Sequence, residues 1–175
     1  PLEITYTSDI DSVICQGDSD GSAEVFPTGG TGLYTYLWSG GPSTSVNNLS
    51  LYTALPAGTG YSVTISDNTP CSVSGPIVIS EPAALSEISS PTILDAKCFG
   101  FSDGSATVDI TGGITTLTGN YTYSWDTDPA TGVFGGNSAV ATGLSAGNYI
   151  CTVTDDNNCP LDIPVTITPQ PQLFV

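Results

Sequence analysis

Apolar and polar residues alternate along much of the chain. Tyr61, Val63 and Ile65 share one face, and Ser62, Thr64 and Ser66 share the other. Ala106, Val108 and Ile110 alternate with Thr107, Asp109 and Thr111, and Ile77 and Ile79 alternate with Val78 and Ser80. A period of two marks antiparallel strands that turn one face to a core. Turn signals punctuate these runs: Asp20-Gly21, Gly29-Gly30, Gly40-Gly41-Pro42, Ala57-Gly58 and Asn68-Thr69-Pro70. Short strands at this spacing, within about 85 residues, predict a small β-sandwich. Trp38 and Trp125 each end a Tyr-x-Tyr-x-Trp strand and are expected to fill a core.

The pattern occurs twice. Cys15-Gln16-Gly17-Asp18-Ser19-Asp20-Gly21-Ser22-Ala23 returns as Cys98-Phe99-Gly100-Phe101-Ser102-Asp103-Gly104-Ser105-Ala106. Gly29-Gly30 returns as Gly112-Gly113, and Tyr34-Thr35-Tyr36-Leu37-Trp38 as Tyr121-Thr122-Tyr123-Ser124-Trp125. Leu55-Pro56-Ala57-Gly58 returns as Leu144-Ser145-Ala146-Gly147. The strand from Tyr61 to Asp67 returns from Tyr149 to Asp155, and Cys71 returns as Cys159. Six blocks in one order define two homologous domains, 1–82 and 83–171, the second with a few loop insertions. The linker around Pro82 has no Gly, which restricts hinge motion. Residues 172–175 follow the last closing strand as Pro1-Leu2-Glu3-Ile4 open the first copy. They are expected to be the first strand of a further repeat, or a strand exchanged with a neighbour.

Composition narrows the function. The chain has 24 Thr, 21 Ser and 20 Gly but only 1 Lys+Arg, which is Lys97, against 17 Asp+Glu and no His. Helix formers with long straight side chains are nearly absent, so sustained helix is not expected. A net charge of −16 repels phosphate backbones and argues against nucleic-acid binding. Without His there is neither a His-based triad nor a His–zinc site. No run reaches the roughly 18 apolar residues of a membrane helix. The chain begins at Pro1, so a signal peptide is expected to be removed or to lie outside this stretch.

The two copies resemble the SprB-type repeat of very long surface adhesins in gliding Bacteroidetes. The residues that carry the resemblance are the Cys-x-Gly-x-x-Asp-Gly-Ser-Ala opening, the Gly-Gly and Tyr-x-Tyr-x-Trp centre and the Leu-x-Ala-Gly segment. The Tyr-x-Val-Thr strand, the second Cys and the closing Ile79-Ser80-Glu81-Pro82 complete it. Cys151 departs from the pattern, which usually has Val there. The resemblance implies a secreted, tandemly repeated, non-enzymatic cell-surface protein.

Several side-chain constellations invite chemistry. Five cysteines leave many pairings open. The matched bracketing of the two copies selects Cys15–Cys71 and Cys98–Cys159, each within its own copy, with Cys151 a free thiol on an inward face. Each bridge would close a loop of about 55–60 residues, worth about 4 kcal/mol in the chain-entropy account, and would suit an oxidising exterior. Asp18, Asp20 and Asp103 sit in loops that resemble the start of a Ca²⁺ loop, although no Glu stands at the twelfth position. Asp9, Asp11, Asp126, Asp128, Asp155 and Asp156 are further carboxylates of this kind. Paired carboxylates of a glycosidase are conceivable chemistry, but no pair recurs in both copies. Tyr34, Tyr36 and Trp38 point one way and read as a core strand, whereas Tyr6 and Tyr52 are unrepeated and read as surface positions. Asn48-Leu49-Ser50 and Asn120-Tyr121-Thr122 match the N-glycosylation sequon, and Asp11-Ser12-Val13 matches a bacterial O-glycosylation pattern at Ser12.

The expected protein is therefore all-β, with two tandem Ig-like sandwiches in a longer array. It is expected to be a non-enzymatic extracellular rod, filament or adhesin stalk on a bacterial surface, without a cofactor other than a weak Ca²⁺. Its expected partners are neighbouring copies, head to tail, with surface glycans next, and neither nucleic acid nor membrane insertion. The alternative is a carbohydrate- or calcium-dependent adhesion module.

Overall fold

The computed structural model describes residues 4–40, 50–69, 71–97, 100–115, 121–126 and 137–169. The described residues form strands and no helix, so none is long and apolar enough to cross a membrane. The chain divides into two compact units, Pro1–Pro82 and Ala83–Val175.

The first unit contains β1 (Ile4–Asp11), β2 (Gly21–Gly29), β3 (Thr35–Ser39), β4 (Leu51–Leu55), β5 (Gly58–Ser66) and β6 (Ser72–Ile79). One sheet has the order β1-β2-β4 and the other β3-β5-β6, antiparallel throughout. The alternation predicted for Tyr61 to Ser66 is realised in β5, where Tyr61, Val63 and Ile65 are buried. They pack with Ala23, Val25, Trp38, Leu55, Ile77 and Ile79 into one core drawn from both sheets. Trp38 fills that core as expected, and Tyr52 tilts against it with ring centroids 5.4 Å apart. Tyr52 is only 6% exposed, so it is a core residue and not the surface aromatic its lack of a repeat suggested.

The second unit contains β7 (Ser86–Glu87), β8 (Thr92–Leu94), β9 (Gly104–Thr107), β10 (Ile110–Thr111), β11 (Thr122–Trp125), β12 (Val140–Leu144), β13 (Gly147–Thr154) and β14 (Pro160–Ile167). Its sheets run β12-β9-β8 and β11-β13-β14, with the short pair β10-β7 beside them. Trp125 and Tyr149 join Cys151, Val153, Ile163 and Val165 in its core. Here the opening strand is broken in two. Ser89-Ser90-Pro91 interrupts it, and Pro91 has no N–H for a ladder.

Each unit has a leading end, where its chain comes in, and a trailing end, where it leaves. In the first unit Ile4 lies opposite Gly29, and Ser66 opposite both Thr35 and Ser72, at the leading end. Asp11 lies opposite Ser22, Gly58 opposite Ile79, and Val13 N–H donates to Ser80 O, at the trailing end. The second unit repeats this polarity. Gly113 N–H donates to Ala83 O and Thr122 faces Thr154, while Gly147 faces Ile167 and Ala96 bridges Pro169. Two tyrosines brace the trailing turns: Tyr61 donates to Pro56 O at 2.8 Å and Tyr149 to Ser145 O at 2.9 Å.

Candidate functional site

The residues singled out by the repeat gather at the two ends of each unit. The Cys15 loop leaves β1 and returns as β2, so it lies at the trailing end. A set of hydrogen bonds ties it to the departing chain. Ile14 N–H donates to Asp20 Oδ1 at 3.1 Å, and Gly17 N–H donates to Glu81 Oε2 at 2.9 Å. Ser12 Oγ lies 2.6 Å from Ser80 Oγ. Gly17 has φ of 86°, which a side chain rarely adopts. The carboxylate of Glu81, in the closing motif, thus holds the Cys-x-Gly turn against the exit. In the second unit Lys97 N–H donates to Asp103 Oδ1 at 3.0 Å, and Thr168 N–H donates to Asp95 Oδ1 at 2.8 Å. The Thr168 N–H bond is the first reason that the Asp95 carboxyl sits below its usual range.

The leading end is organised by one buried carboxylate per unit. Asp67 accepts from Thr31 N–H at 3.0 Å on Oδ2 and from Thr69 N–H at 2.9 Å on Oδ1. Both threonine hydroxyls donate to it as well. The Thr69 hydroxyl does most to lower the Asp67 pKa, and burial opposes it. Asp155 takes the same place in the second unit, where it accepts from Ile114 N–H at 2.8 Å, Asn157 N–H at 2.9 Å and Cys159 N–H at 3.0 Å. Cys71 and Cys159 follow these aspartates at matched places, since each carbonyl accepts from the aspartate's N–H at 3.3 Å.

The cysteines correct the sequence reading. Cys71 carries a free thiol and is half-buried, whereas Cys15 is disulfide-bonded, so the Cys15–Cys71 bridge is not made. The reason is polarity within the unit. Cys71 precedes β6 at the leading end and Cys15 lies at the trailing end. Between them runs β6, eight residues long, or about 23 Å at about 3.3 Å per step. A disulfide needs Cα atoms within about 7 Å. Bracketing in sequence therefore marks the two ends of a sandwich. Cys159 is disulfide-bonded; the Cys98–Cys159 pairing falls on Cys98, outside the described residues. Cys151 is a free thiol with no exposure, and burial pushes its pKa up to about 12. It packs as an apolar group opposite Trp125 and Ile163.

The Ca²⁺ candidates Asp20 and Asp103 are used to close their loops on backbone N–H groups, and Asp18 N–H donates to Cys15 O in the turn. Among the described residues no three His, Cys, Asp or Glu side chains come together to hold a metal ion. Asp126 Oδ1 accepts from Ile150 N–H at 2.8 Å, and Asp128 lies outside the described residues, as do Asn48 and Asn120 of the two sequons. Ser12 is exposed, and its hydroxyl is hydrogen-bonded to that of Ser80. Tyr6 is half-buried and covers Gly75 of β6, where an added Cβ would stand 1.6 Å from its hydroxyl.

Comparison with known proteins agrees with this architecture. The SprB repeat model matches residues 7–43 and 90–130, one segment in each unit. Among curated proteins none matches. Of solved structures, the chain is similar to the three N-terminal domains of the Highly Immunogenic Outer Capsid protein of bacteriophage RB49, with TM-score 0.51 and 17% identity. That match covers 97% of this chain and 59% of the phage chain. It is also similar to extracellular domains 3–5 of Drosophila OTK, at TM-score 0.38 and 12% identity, covering 93% of this chain and 61% of that one. The insect immune protein hemolin gives TM-score 0.38 and 13% identity, covering 91% and 45% of the two chains. The two units are Ig-like β-sandwiches.

Proposed function

We propose that this chain, which carries the SprB repeat in each of its two units, is an extracellular structural repeat. It serves as a stiff spacer in a stalk or filament on a bacterial surface. The observation that carries this reading is the polarity of the sandwich. Each unit takes its chain in at one end of the strands and releases it at the other, so every added copy lengthens an array. The carboxylates argue for structure over catalysis. Asp20, Asp67, Asp95, Asp103, Asp126, Asp155 and Glu81 all accept backbone N–H groups within their own unit. A surface of Ser and Thr with net charge −16 keeps such an array soluble and resists lateral edge pairing.

The test is length against copy number. Arrays of two, four and six units, measured by small-angle X-ray scattering and electron microscopy, should show a maximum dimension that grows linearly with the number of units. A dimension that levels off overturns the stalk reading. Glycan arrays with and without a chelator test the alternative of a carbohydrate- or calcium-dependent adhesion module. Retention that chelation abolishes would favour it.

A further inference from the structure

A cleft of about 540 Å³ lies in the second unit beside β11, the edge strand of its sheet, within the size range of small-ligand sites. Tyr121 and Tyr123 line it from β11, Asn137 and Ser138 from the approach to β12, and Asp109 from the gap between β9 and β10. Hydrogen bonds within the unit fix these walls. Trp125 Nε1–H donates to Ser138 O at 2.9 Å, Tyr123 N–H to Asn137 Oδ1 at 2.8 Å, and Val108 N–H to Ala139 O at 3.0 Å. Both tyrosine rings rest against the core. A wall ordered in advance lowers the entropy cost of binding.

The fold leaves polar groups of both kinds unused in this cleft. Seven carboxylates of the chain close loops on backbone N–H groups, but among the described residues no hydrogen bond engages the Asp109 carboxylate or the Tyr123 hydroxyl. Burial holds the Tyr123 phenol above its usual range, with Cys151, Tyr121 and Asp109 as lesser causes, so it stays a donor at neutral pH. The Asn137 Oδ1 is taken by Tyr123 N–H, which leaves the amide Nδ2 as a second donor. Tyr121 O–H is spent on Gly112 O at 2.8 Å, as Tyr34 O–H is on Gly29 O in the first unit, so Tyr121 offers its ring. The two copies differ at one of these places. Phe26 stands in the first copy where Asp109 stands in the second. There β2 runs unbroken through Phe26, whereas in the second unit β9 ends at Thr107 and β10 begins at Ile110, with Asp109 between them.

We infer that this cleft binds a neutral sugar, with Asp109, Tyr123 and Asn137 on its hydroxyls and the tyrosine rings against its C–H face. A carboxylate acceptor beside two neutral donors suits groups that both donate and accept, as a sugar hydroxyl does. The rings suit the apolar face of the same ligand. The only cationic side chain of the protein, Lys97, is not in the cleft, and the net charge is −16, so an acidic sugar is repelled. An ammonium ion only donates, and leaves the Asn137 amide without an acceptor. No metal ion is required, because the carboxylate meets the ligand directly. The site stands apart from the stalk reading, since a spacer can carry a ligand on its flank.

The experiment titrates the ¹⁵N-labelled 175-residue chain with maltose, cellobiose, lactose and N,N′-diacetylchitobiose, read by NMR. At least one of them should shift the amides of Tyr121, Tyr123 and Asn137 saturably, leave those of Tyr34 and Tyr36 unmoved, and do so equally with a chelator present. Asp109→Phe, which installs the residue of the first copy, and Asp109→Ala should each weaken that binding about tenfold or more, and Tyr123→Phe about threefold to tenfold. Thermal melts check that the variants fold, and the wild-type mapping depends on no variant. The proposal is overturned if none of the four sugars gives a saturable shift, or if the shifts map elsewhere. It is also overturned by binding that survives Asp109→Phe, by shifts that chelation abolishes, or by galacturonate or tetramethylammonium moving the same amides more strongly. If arrays lengthen with copy number while the cleft stays silent, only this site fails; if the cleft binds but arrays stay compact, only the stalk reading fails.

Discussion

A single carboxylate at Asp67 holds two loops that are far apart in sequence, through Thr31 and Thr69. These bonds favour the ionised form, and its pKa is lowered in the fold, so the stability they supply is present above the ordinary Asp value of about 4. It is lost as pH falls through the lowered folded value. Asp67→Asn should lower the Tm at pH 7, and the gap to wild type should narrow below about pH 4, as followed by calorimetry across pH. A constant gap would assign the loss to packing alone. Accessibility separates the two free thiols: iodoacetamide should label Cys71 in the native chain and Cys151 only after unfolding, by mass spectrometry. The repeat showed which cysteines and aspartates matter. What each one does was hidden, because a residue repeated in register can be a bridge, a brace or a ligand, and only its place at one end of the strands decides.

Local backbone geometry explains the motif glycines. An added Cβ at Gly21 would lie 2.8 Å from Leu55 O and 2.6 Å from Ile79 Cγ2, and at Gly104 it would lie 2.9 Å from both Leu144 O and Ile167 Cγ2. Two of these neighbours are backbone, so Gly21→Ala and Gly104→Ala should each cost about 1–3 kcal/mol, read as a lower denaturation midpoint. The bulges in β4 and β12 offer an internal comparison. Ala54 sits at φ 58° and its counterpart Gly143 at φ 74°. A left-handed Ala costs roughly 1–2 kcal/mol and Gly gives back part of that in chain entropy. Ala54→Gly should therefore raise stability by about 0.5–1 kcal/mol in urea titrations. The strands themselves were legible from their period of two. Tyr52 was not, because it lies in a bulged strand where the alternation of β4 is broken and no second copy supplies a matching aromatic.

At the scale of the whole molecule, the two-copy division and the Ig-like class followed from the repeat, but the sense in which each copy is threaded did not. Alternation says which face is inside and nothing about which end a loop occupies; hydrogen bonds such as Gly17 to Glu81 settle that. The threading has a mechanical consequence. The first unit is entered through β1 at one end and left through β6 at the other, so tension applied between the two ends of the chain pulls β1 along its own axis. Ladder bonds lie across the strand, and the eight register pairs of β1 with β2 share such a load at once instead of peeling one by one. In the second unit the same load falls on β7 and β8, which offer two and three register pairs separated by Pro91. In a single-molecule pulling experiment under reducing conditions, with each unit assigned by deleting the other, the second unit should yield at the lower force. A chain built this way carries a sacrificial link beside a strong one, and would lengthen under strain before it parted.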